Sequence, residues 1–137
     1  MVGIVIASHG PLASCMMKSA ELICGSNSQI AAVSLTLEMS LEEFHKKLIS
    51  AVKQVDCGEG VLVLADIPGG SPSNISLQES AKAENVEVVS GFNLGMLLEI
   101  LINREGKNPM ELAQFACESG KKSIEFLSKK LKDMTAG

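Results

Sequence analysis

The sequence has few aromatic residues: it contains four Phe, no Trp and no Tyr among 137 residues. Proteins that bind single-stranded nucleic acid stack bases on such rings, so this class of function is disfavoured. Positive charge is also scarce, with 12 Lys and Arg against 16 Asp and Glu and a formal net charge of −4. Excess negative charge repels polyanions and anionic lipid surfaces. We therefore expect no nucleic-acid partner and no direct membrane contact.

Cysteine pairs with the spacing of a metal or redox site are missing. The four cysteines are Cys15, Cys24, Cys57 and Cys117, and none of them forms a Cys-x-x-Cys pair. Each lies in or beside an apolar segment, so we predict reduced, buried thiols. Because no zinc-ligand spacing is present, we expect no metal and no other cofactor. The sequence has no basic signal segment and no apolar run of transmembrane length, which favours a cytoplasmic location.

Short apolar runs recur along the chain, at residues 2–7, 30–35, 61–65 and 86–89. Their starts lie about 25 to 31 residues apart, which leaves room for one helix between successive strands. Nearly continuous hydrophobicity is typical of parallel strands covered on both faces. Right-handed crossovers then favour the strand order 2-1-3-4. Since no repeat or linker is evident, we predict one α/β domain over residues 1–137, built as a three-layer α/β/α sandwich.

Helix signals fill the segments between these runs. The clearest is a capping box with Ser40 as N-cap and Glu43 as the third helical residue. The third helix is predicted to start with Ser71 as N-cap and Pro72 as its first residue. The first helix is predicted over residues 12–24. Its buried face is predicted to consist of Leu12, Met16, Ser19 and Ile23.

The C-terminal third carries further helical patterns at residues 94–103 and from Pro109 onward. A short antiparallel edge strand near the C-terminus stays open as an addition to the parallel sheet. Arg104 and the C-terminal lysines are predicted to be solvent-exposed. His45 has no partner ligand in the sequence, so we interpret it as a hydrogen-bonded or solvent-facing structural residue rather than a metal ligand.

Polar residues follow the first and third strands, at residues 8–11 (S-H-G-P) and 66–71 (D-I-P-G-G-S). In the order 2-1-3-4 these strands are neighbours about 4.8 Å apart, so His9 and Asp66 can share a hydrogen bond. A carboxylate bonded to one imidazole nitrogen fixes the tautomer and leaves the other nitrogen as a nucleophile or base. No Ser or Cys forms a nucleophile elbow beside His9. We therefore predict that His9 itself is the nucleophile.

Two glycines and a helix start follow Asp66, and this combination is typical of an anion site. Gly69 and Gly70 permit positive φ angles, and backbone N–H groups from Gly70 to Ser73 point out of the helix start. We predict that Gly69, Gly70, Ser71 and Ser73 bind a phosphoryl group, although simple turn and capping roles stay open for them. The segment lacks a Walker lysine, so nucleotide hydrolysis is not indicated. A phosphoryl group carried on His9 fits best.

Three motifs closely resemble the IIA component of the mannose-family sugar phosphotransferase system: residues 8–10 (S-H-G), 66–72 (D-I-P-G-G-S-P) and 91–97 (G-F-N-L-G-M-L). The resemblance covers nearly the whole chain. It implies that the phosphocarrier protein HPr phosphorylates His9 on Nε2 and that His9 passes the group to the IIB component. Sugar then enters through the membrane components IIC and IID.

The same resemblance implies roles for other residues. Asp66 matches the orienting aspartate of the family, and Ser71 matches its hydroxyl residue after the two glycines. A homodimer is implied, with a C-terminal segment that forms an edge strand exchanged between subunits. Gly10, Phe92 and Asn93 are predicted as rim residues for protein partners.

Two departures from the family pattern flank the site. Ile67 and Pro68 stand where mannose-type members often have threonine and tryptophan, and Gly95 replaces a common proline. Under the resemblance, these departures leave sugar type and partner affinity open more than the phosphocarrier role. The chain stops near Gly137 without a fused IIB domain, so a free-standing IIA protein is expected. The sequence does not distinguish mannose, fructose, sorbose and amino sugars.

Three other functions stay open from the sequence. A phosphotransfer subunit of a dihydroxyacetone kinase shares the fold and an N-terminal histidine, but its second loop typically lacks G-G-S-P. A non-catalytic anion or sugar-phosphate binding module would use His9 only as a hydrogen-bond donor. A hydrolase or isomerase with His9 as general base would need a deep pocket with further polar groups.

Overall fold

The structure is a computed structural model that describes residues 1–136. Its centre is a sheet of four parallel strands: β1 (Gly3–His9), β2 (Ile30–Leu35), β3 (Val61–Ala65) and β4 (Val86–Ser90). The strand order is β2-β1-β3-β4. All of β3, and β1 as far as Ser8, are buried. The predicted fold class, parallel sheet and strand order are confirmed.

Six helices accompany the sheet in the described chain: α1 (Leu12–Cys24), α2 (Leu41–Val55), α3 (Ser71–Lys82), α4 (Leu94–Asn103), α5 (Pro109–Lys122) and α6 (Leu127–Ala136). Alternate strand residues face two separate cores. Ile4 and Ile6 pack with residues of α1, α4 and α5, whereas Val5 and Ala7 pack with residues of α2 and α3. This division produces the three layers.

The strand register places the ends of β1 and β3 side by side. Ala7 pairs with Ala65, so His9 lies two residues beyond this pair on β1 and Asp66 one residue beyond it on β3. The helices α1 and α3 leave from these same strand ends. This carboxyl edge of the sheet therefore collects the residues that the sequence analysis singled out.

Helix α1 presents a different face to the core from the predicted one. Leu12, Ser19 and Ile23 are exposed, and Met16 is only partly buried. The buried residues of α1 are Ala13 and Ala20. Small side chains let the helix backbone approach the sheet closely, and this packing outweighs the burial of larger residues on the neighbouring face.

The prediction of buried cysteines is wrong for three of the four. Cys15, Cys57 and Cys117 are exposed, Cys24 is partly buried, and all four are free thiols. Two of the exposed cysteines lie on the solvent faces of α1 and α5, and Cys57 lies in the turn after α2. Their apolar neighbours in sequence face inward, which is why local composition misled the prediction.

Arg104, predicted as solvent-exposed, is only 1% exposed. Its Nη1 donates hydrogen bonds to the carbonyl oxygens of Val2 at 3.2 Å and Gln29 at 3.0 Å, and its Nη2 donates to the carbonyl of Ser28. Its Nε has no hydrogen-bond partner within residues 1–136. Arg104 thus satisfies carbonyls where β1 and β2 begin, and closes the amino edge of the sheet.

Residues after α5 form the helix α6 rather than an edge strand, so within residues 1–136 the sheet keeps four strands. Leu127, Leu131 and Met134 recur at helical spacing on α6, and all three side chains are exposed. The C-terminal lysines are exposed as well, as predicted.

His45 is hydrogen-bonded to Glu79 through Nε2 at 3.0 Å, which confirms its structural interpretation. No helix within residues 1–136 is long and apolar enough to cross a lipid bilayer.

Candidate functional site

His9 and Asp66 are in direct contact at the carboxyl edge of the sheet. His9 Nδ1 lies 2.8 Å from Asp66 Oδ2, and the same oxygen accepts a hydrogen bond from the His9 backbone N–H at 2.8 Å. The other carboxylate oxygen accepts from the Ile67 N–H at 2.9 Å. Because an ionised carboxylate only accepts hydrogen bonds, Nδ1 is the nitrogen that carries a proton toward Asp66, and in the neutral imidazole Nε2 then has the lone pair. The His9 side chain is 49% exposed and that of Asp66 is 9% exposed.

The environment of Asp66 keeps its carboxylate ionised. Partial burial alone raises the pKa of Asp66, but hydrogen bonds from the His9 backbone, the His9 imidazole and the Ile67 backbone outweigh it. The pKa of Asp66 is therefore held below its ordinary value of 3.8. An ionised carboxylate can also stabilise positive charge that develops on the imidazole.

Ser8 holds the turn that presents His9, and the sequence analysis gave it no role. The Ser8 side chain is fully buried; its hydroxyl accepts a hydrogen bond from the Ala13 N–H at 2.8 Å and donates to the Gly10 carbonyl at 3.0 Å. Gly10 has a φ of 60° and donates its N–H to the Leu35 carbonyl at 2.8 Å. A buried serine directly before the histidine was the signal that could have revealed this role.

The glycine loop approaches the imidazole closely. A Cβ atom added to Gly70 would lie 2.8 Å from His9 Cε1 and 3.4 Å from His9 Nε2. Gly70 is also the N-cap of α3, so the prediction of Ser71 as N-cap is wrong and Ser71 is the first helical residue. No side-chain hydrogen bond caps this helix, because the loop needs a residue without a side chain at that point. Gly69 supplies the positive φ, at 81°.

The start of α3 therefore lies beside Nε2. The first N–H groups of a helix have no acceptor within the helix, so they favour a negatively charged ligand. Ser73 is 3% exposed and its hydroxyl donates to the Ile67 carbonyl, which leaves its backbone N–H as the group that can bind an anion. Ser71 is partly exposed.

The predicted rim residues lie at the same edge of the sheet. The N–H of Gly91 donates to the Ala65 carbonyl at 3.0 Å, which keeps the segment after β4 beside β3. Phe92 packs partly buried against the core. Asn93 caps α4, with Oδ1 accepting from the Met96 N–H at 2.8 Å and Nδ2 donating to the Gly120 carbonyl at 3.0 Å. Its polar atoms thus serve internal bonds.

An open groove of about 550 Å³ starts at His9 and runs along the segment between β2 and α2. It is lined by His9, Gly10, Leu35, Leu37, Met39 and Leu41, among others. In the part of the chain that the structure describes, no cluster of three or more His, Cys, Asp or Glu side chains could hold a metal ion. The arrangement is suited to nucleophilic chemistry at Nε2 beside a helix start whose free N–H groups favour an anion.

The chain is similar to known proteins over most of its length. The family model described as "PTS system fructose IIA component" matches residues 3–116. The mannose-specific EIIAB component of Escherichia coli (strain K12) is 31% identical over 130 residues, which are 94% of this chain and 40% of that protein. The fructose-specific EIIA component of Bacillus subtilis (strain 168) is 30% identical over 105 residues, which are 77% of this chain and 72% of that protein.

A solved structure is similar over almost its whole length. The phosphotransferase system component EIIA from Streptococcus agalactiae superposes with a TM-score of 0.86 at 28% identity, covering 94% of this chain and 99% of that one. The chain spans only 40% of the length of the mannose-specific EIIAB relatives. The family match and the shared fold show that the chain belongs to the IIA components of the mannose, fructose and sorbose family of sugar phosphotransferase systems.

Proposed function

We propose that the protein carries a phosphoryl group on Nε2 of His9, which it accepts from phosphorylated HPr and passes to a IIB component. The observation that carries this proposal is the 2.8 Å hydrogen bond between His9 Nδ1 and Asp66 Oδ2. This bond directs the Nε2 lone pair away from Asp66, on a side chain that is half exposed. A nucleophile that serves protein partners must be accessible in this way.

The transfer is an in-line displacement between two imidazoles. The Nε2 lone pair of His9 attacks phosphorus, the P–N bond of the donor phosphohistidine breaks, and the donor nitrogen regains its lone pair. Positive charge grows on the His9 ring as the new P–N bond forms. Asp66 stabilises that charge through the Nδ1 proton, so it orients the nucleophile and favours the product.

The phosphoryl oxygens are bound by the predicted anion cradle. Backbone N–H groups of Gly70, Ser71 and Ser73 supply hydrogen bonds, and the Ser71 hydroxyl adds another. Gly69 provides the turn that brings this segment to the imidazole. These groups stabilise the negative charge spread over the oxygens in the transition state. The shallow shape of the site lets two protein partners dock in turn.

We further infer a cytoplasmic location and a homodimer, with the membrane reached only through the IIC and IID components. The exposed apolar side chains of Leu127, Leu131 and Met134 on α6 support self-association, since such a stripe is usually covered by another surface. Gly10, Phe92 and Asn93 are proposed as rim residues at the edge of the His9 site, where they face the phosphoryl donor and acceptor proteins.

The test is phosphorylation in a reconstituted chain of phosphoenolpyruvate, enzyme I and HPr, followed by transfer to a IIB component. We expect an acid-labile, base-stable phosphate on the wild-type protein and on the His45→Ala variant, and none on His9→Ala. His45 is the matched control, because the sequence contains only two histidines. Absence of phosphate with active partners, or phosphate that persists in His9→Ala, overturns the proposal.

A further inference from the structure

The hydroxyl of Ser73 donates a hydrogen bond to a residue outside its own helix. The acceptor is the carbonyl of Ile67, six residues earlier, in the loop that follows β3. Ser73 lies in the first turn of α3 and is only 3% exposed. A serine hydroxyl inside a helix commonly bonds to the carbonyl one turn back in the same helix. The bond of Ser73 instead ties α3 to the loop.

The backbone of Ile67 extends this bond to the imidazole. While its carbonyl accepts from Ser73, its N–H donates to Asp66 Oδ1 at 2.9 Å. The other oxygen of Asp66 lies 2.8 Å from His9 Nδ1. A continuous series of hydrogen bonds through Ile67 and Asp66 therefore connects the buried hydroxyl of Ser73 to the Nδ1 side of the ring.

The Nε2 side of the ring faces the same helix. A Cβ atom added to Gly70, the N-cap of α3, would lie 3.4 Å from His9 Nε2. The N–H of Asn74 donates to the Gly70 carbonyl at 2.9 Å, which fixes Gly70 to the helical turn that contains Ser73. One turn of α3 is thus connected to both nitrogens of the imidazole, to one by hydrogen bonds and to the other by close approach.

Asn74 supplies a second, weaker link between this turn and the loop. Its Nδ2 donates to the Gly69 carbonyl at 3.3 Å, in an exposed position. Water competes for an exposed hydrogen bond, so its net contribution is small. Ser73, which is buried, therefore provides the principal hydrogen bond between the loop and the helix.

We propose that the Ser73 hydroxyl is a positioning group for phosphoryl transfer: it sets the distance between His9 Nε2 and the backbone N–H groups at the start of α3. The hydroxyl acts through Ile67 and Asp66 and does not itself contact the phosphoryl group. This inference rests on the proposed function, since the distance matters only if Nε2 and these N–H groups meet the same phosphoryl group.

The chemistry of transfer explains why this distance must be fixed. The attacking nitrogen has to come within about 3 to 3.5 Å of phosphorus, while the N–H donors lie about 2.7 to 3.1 Å from the phosphoryl oxygens. Such donors stabilise the transition state most when they are held in place before the reaction. His9 and the start of α3 lie on different loops, so side-chain bonds between these loops have to hold them together.

The experiment compares two serine variants of α3. Ser73→Ala removes the hydroxyl and keeps the backbone N–H. Ser76→Ala is the matched control, because Ser76 is fully buried and its hydroxyl donates to the Pro72 carbonyl at 2.6 Å, four residues earlier in the same helix. Each variant loses one hydroxyl bond at a buried residue, so we expect similar, small shifts in the urea concentration at which half of the protein is unfolded.

Single-turnover phosphorylation at increasing concentrations of phosphorylated HPr gives the rate at saturation, kcat, and the half-saturating concentration, KM. We expect Ser73→Ala to lower kcat about tenfold with KM within about twofold of wild type. Ser76→Ala should leave both within about twofold, and Ser73→Thr, which keeps the hydroxyl, should retain kcat within about threefold. A kcat for Ser73→Ala within about twofold of that for Ser76→Ala overturns the inference.

A small phosphoryl donor separates positioning from docking. Phosphoramidate reaches Nε2 without a protein contact, so Ser73→Ala should lose the same factor in rate with this donor as with HPr. A loss that is seen only with HPr also overturns the inference, since Ser73 would then act on the docking surface. If wild-type protein accepts no phosphoryl group from HPr, the proposed function itself fails, which is a distinct result.

Discussion

The two edges of the sheet each carry a polar side chain that faces strand ends, yet these side chains differ in accessibility. At the carboxyl edge, the His9 side chain is 49% exposed and Asp66 fixes only one of its ring nitrogens. At the amino edge, Arg104 is 1% exposed and donates to three backbone carbonyls. A polar group whose bonds are internal stabilises the fold, whereas one with an accessible lone pair is available for chemistry.

The largest effect is expected at the amino edge. Arg104→Leu leaves the carbonyls of Val2, Gln29 and Ser28 without this donor; the bond to Val2 is buried and the other two are partly buried, and we expect their loss to cost about 3 kcal/mol in total. We expect urea denaturation to show this loss in the free energy of unfolding, while the folded fraction still accepts phosphate on His9.

Lys53→Leu is the control for this loss, because it removes one positive charge from an exposed position on α2. Its effect should stay within about 0.5 kcal/mol. A loss below about 1 kcal/mol for Arg104→Leu would mean that the amino edge does not depend on this side chain.

A change of similar size is expected at the carboxyl edge, but in activity. Gly70→Ala places a methyl group 2.8 Å from His9 Cε1, so the imidazole or the loop must move. Misplacement of a reacting group by about 1 Å costs on the order of a hundredfold in rate. Phosphorylation kinetics should show this loss. A transfer rate equal to that of wild type, in a variant that unfolds at the same urea concentration, contradicts the close contact.

Two aspartates, one at each edge of the sheet, allow the effects on stability and on transfer rate to be compared directly. Asp66→Asn removes an acceptor of the His9 backbone and ring hydrogens, and we expect transfer to slow by roughly 10 to 100-fold with the fold retained. Asp56 at the amino edge also accepts two backbone hydrogen bonds, from Gly58 and Gly60. Asp56→Asn should lower stability and leave transfer within about twofold of wild type. Equal rates for the two variants would remove Asp66 from the mechanism.

The smallest effect concerns pH. Because the folded-state pKa of Asp66 lies below 3.8, its bonds stabilise the folded protein above that pH, and this contribution is lost as the pH falls through the lowered pKa. The difference in unfolding free energy between wild type and Asp66→Asn should therefore be present at pH 5 and shrink below about pH 4. Urea denaturation at pH 5 and pH 3 measures it. A difference that grows toward acid pH contradicts the assigned direction.

Sequence patterns predicted the carboxyl edge well because local rules determine it. Continuous apolar runs identified the strands, and the handedness of crossovers placed β1 beside β3. His9 and Asp66 then had to meet, since each follows a strand end. The close approach of Gly70 and the hydroxyl bonds of Ser8 required the three-dimensional arrangement of the loops.

The amino edge was misinterpreted because its contacts are distant in sequence. Arg104 donates to residues 75 to 102 positions away, and no local pattern marks such a partner. The same limit applies to α1. Its packing on the sheet buries Ala13 and Ala20 rather than the larger residues that the local pattern predicted. Residues 127–136 form a helix by their own spacing, although the family resemblance implied an exchanged strand.

The most direct measurement is the nitrogen to which phosphorus is bonded in the phosphorylated protein. Long-range proton–nitrogen NMR spectra of ¹⁵N-labelled protein report the His9 tautomer before transfer and the phosphorus–nitrogen coupling after it. We predict a proton on Nδ1 in the free protein and phosphorus coupled to Nε2 of His9 in the phosphorylated one. Phosphorus coupled to Nδ1 of His9, or to either nitrogen of His45, would contradict the account.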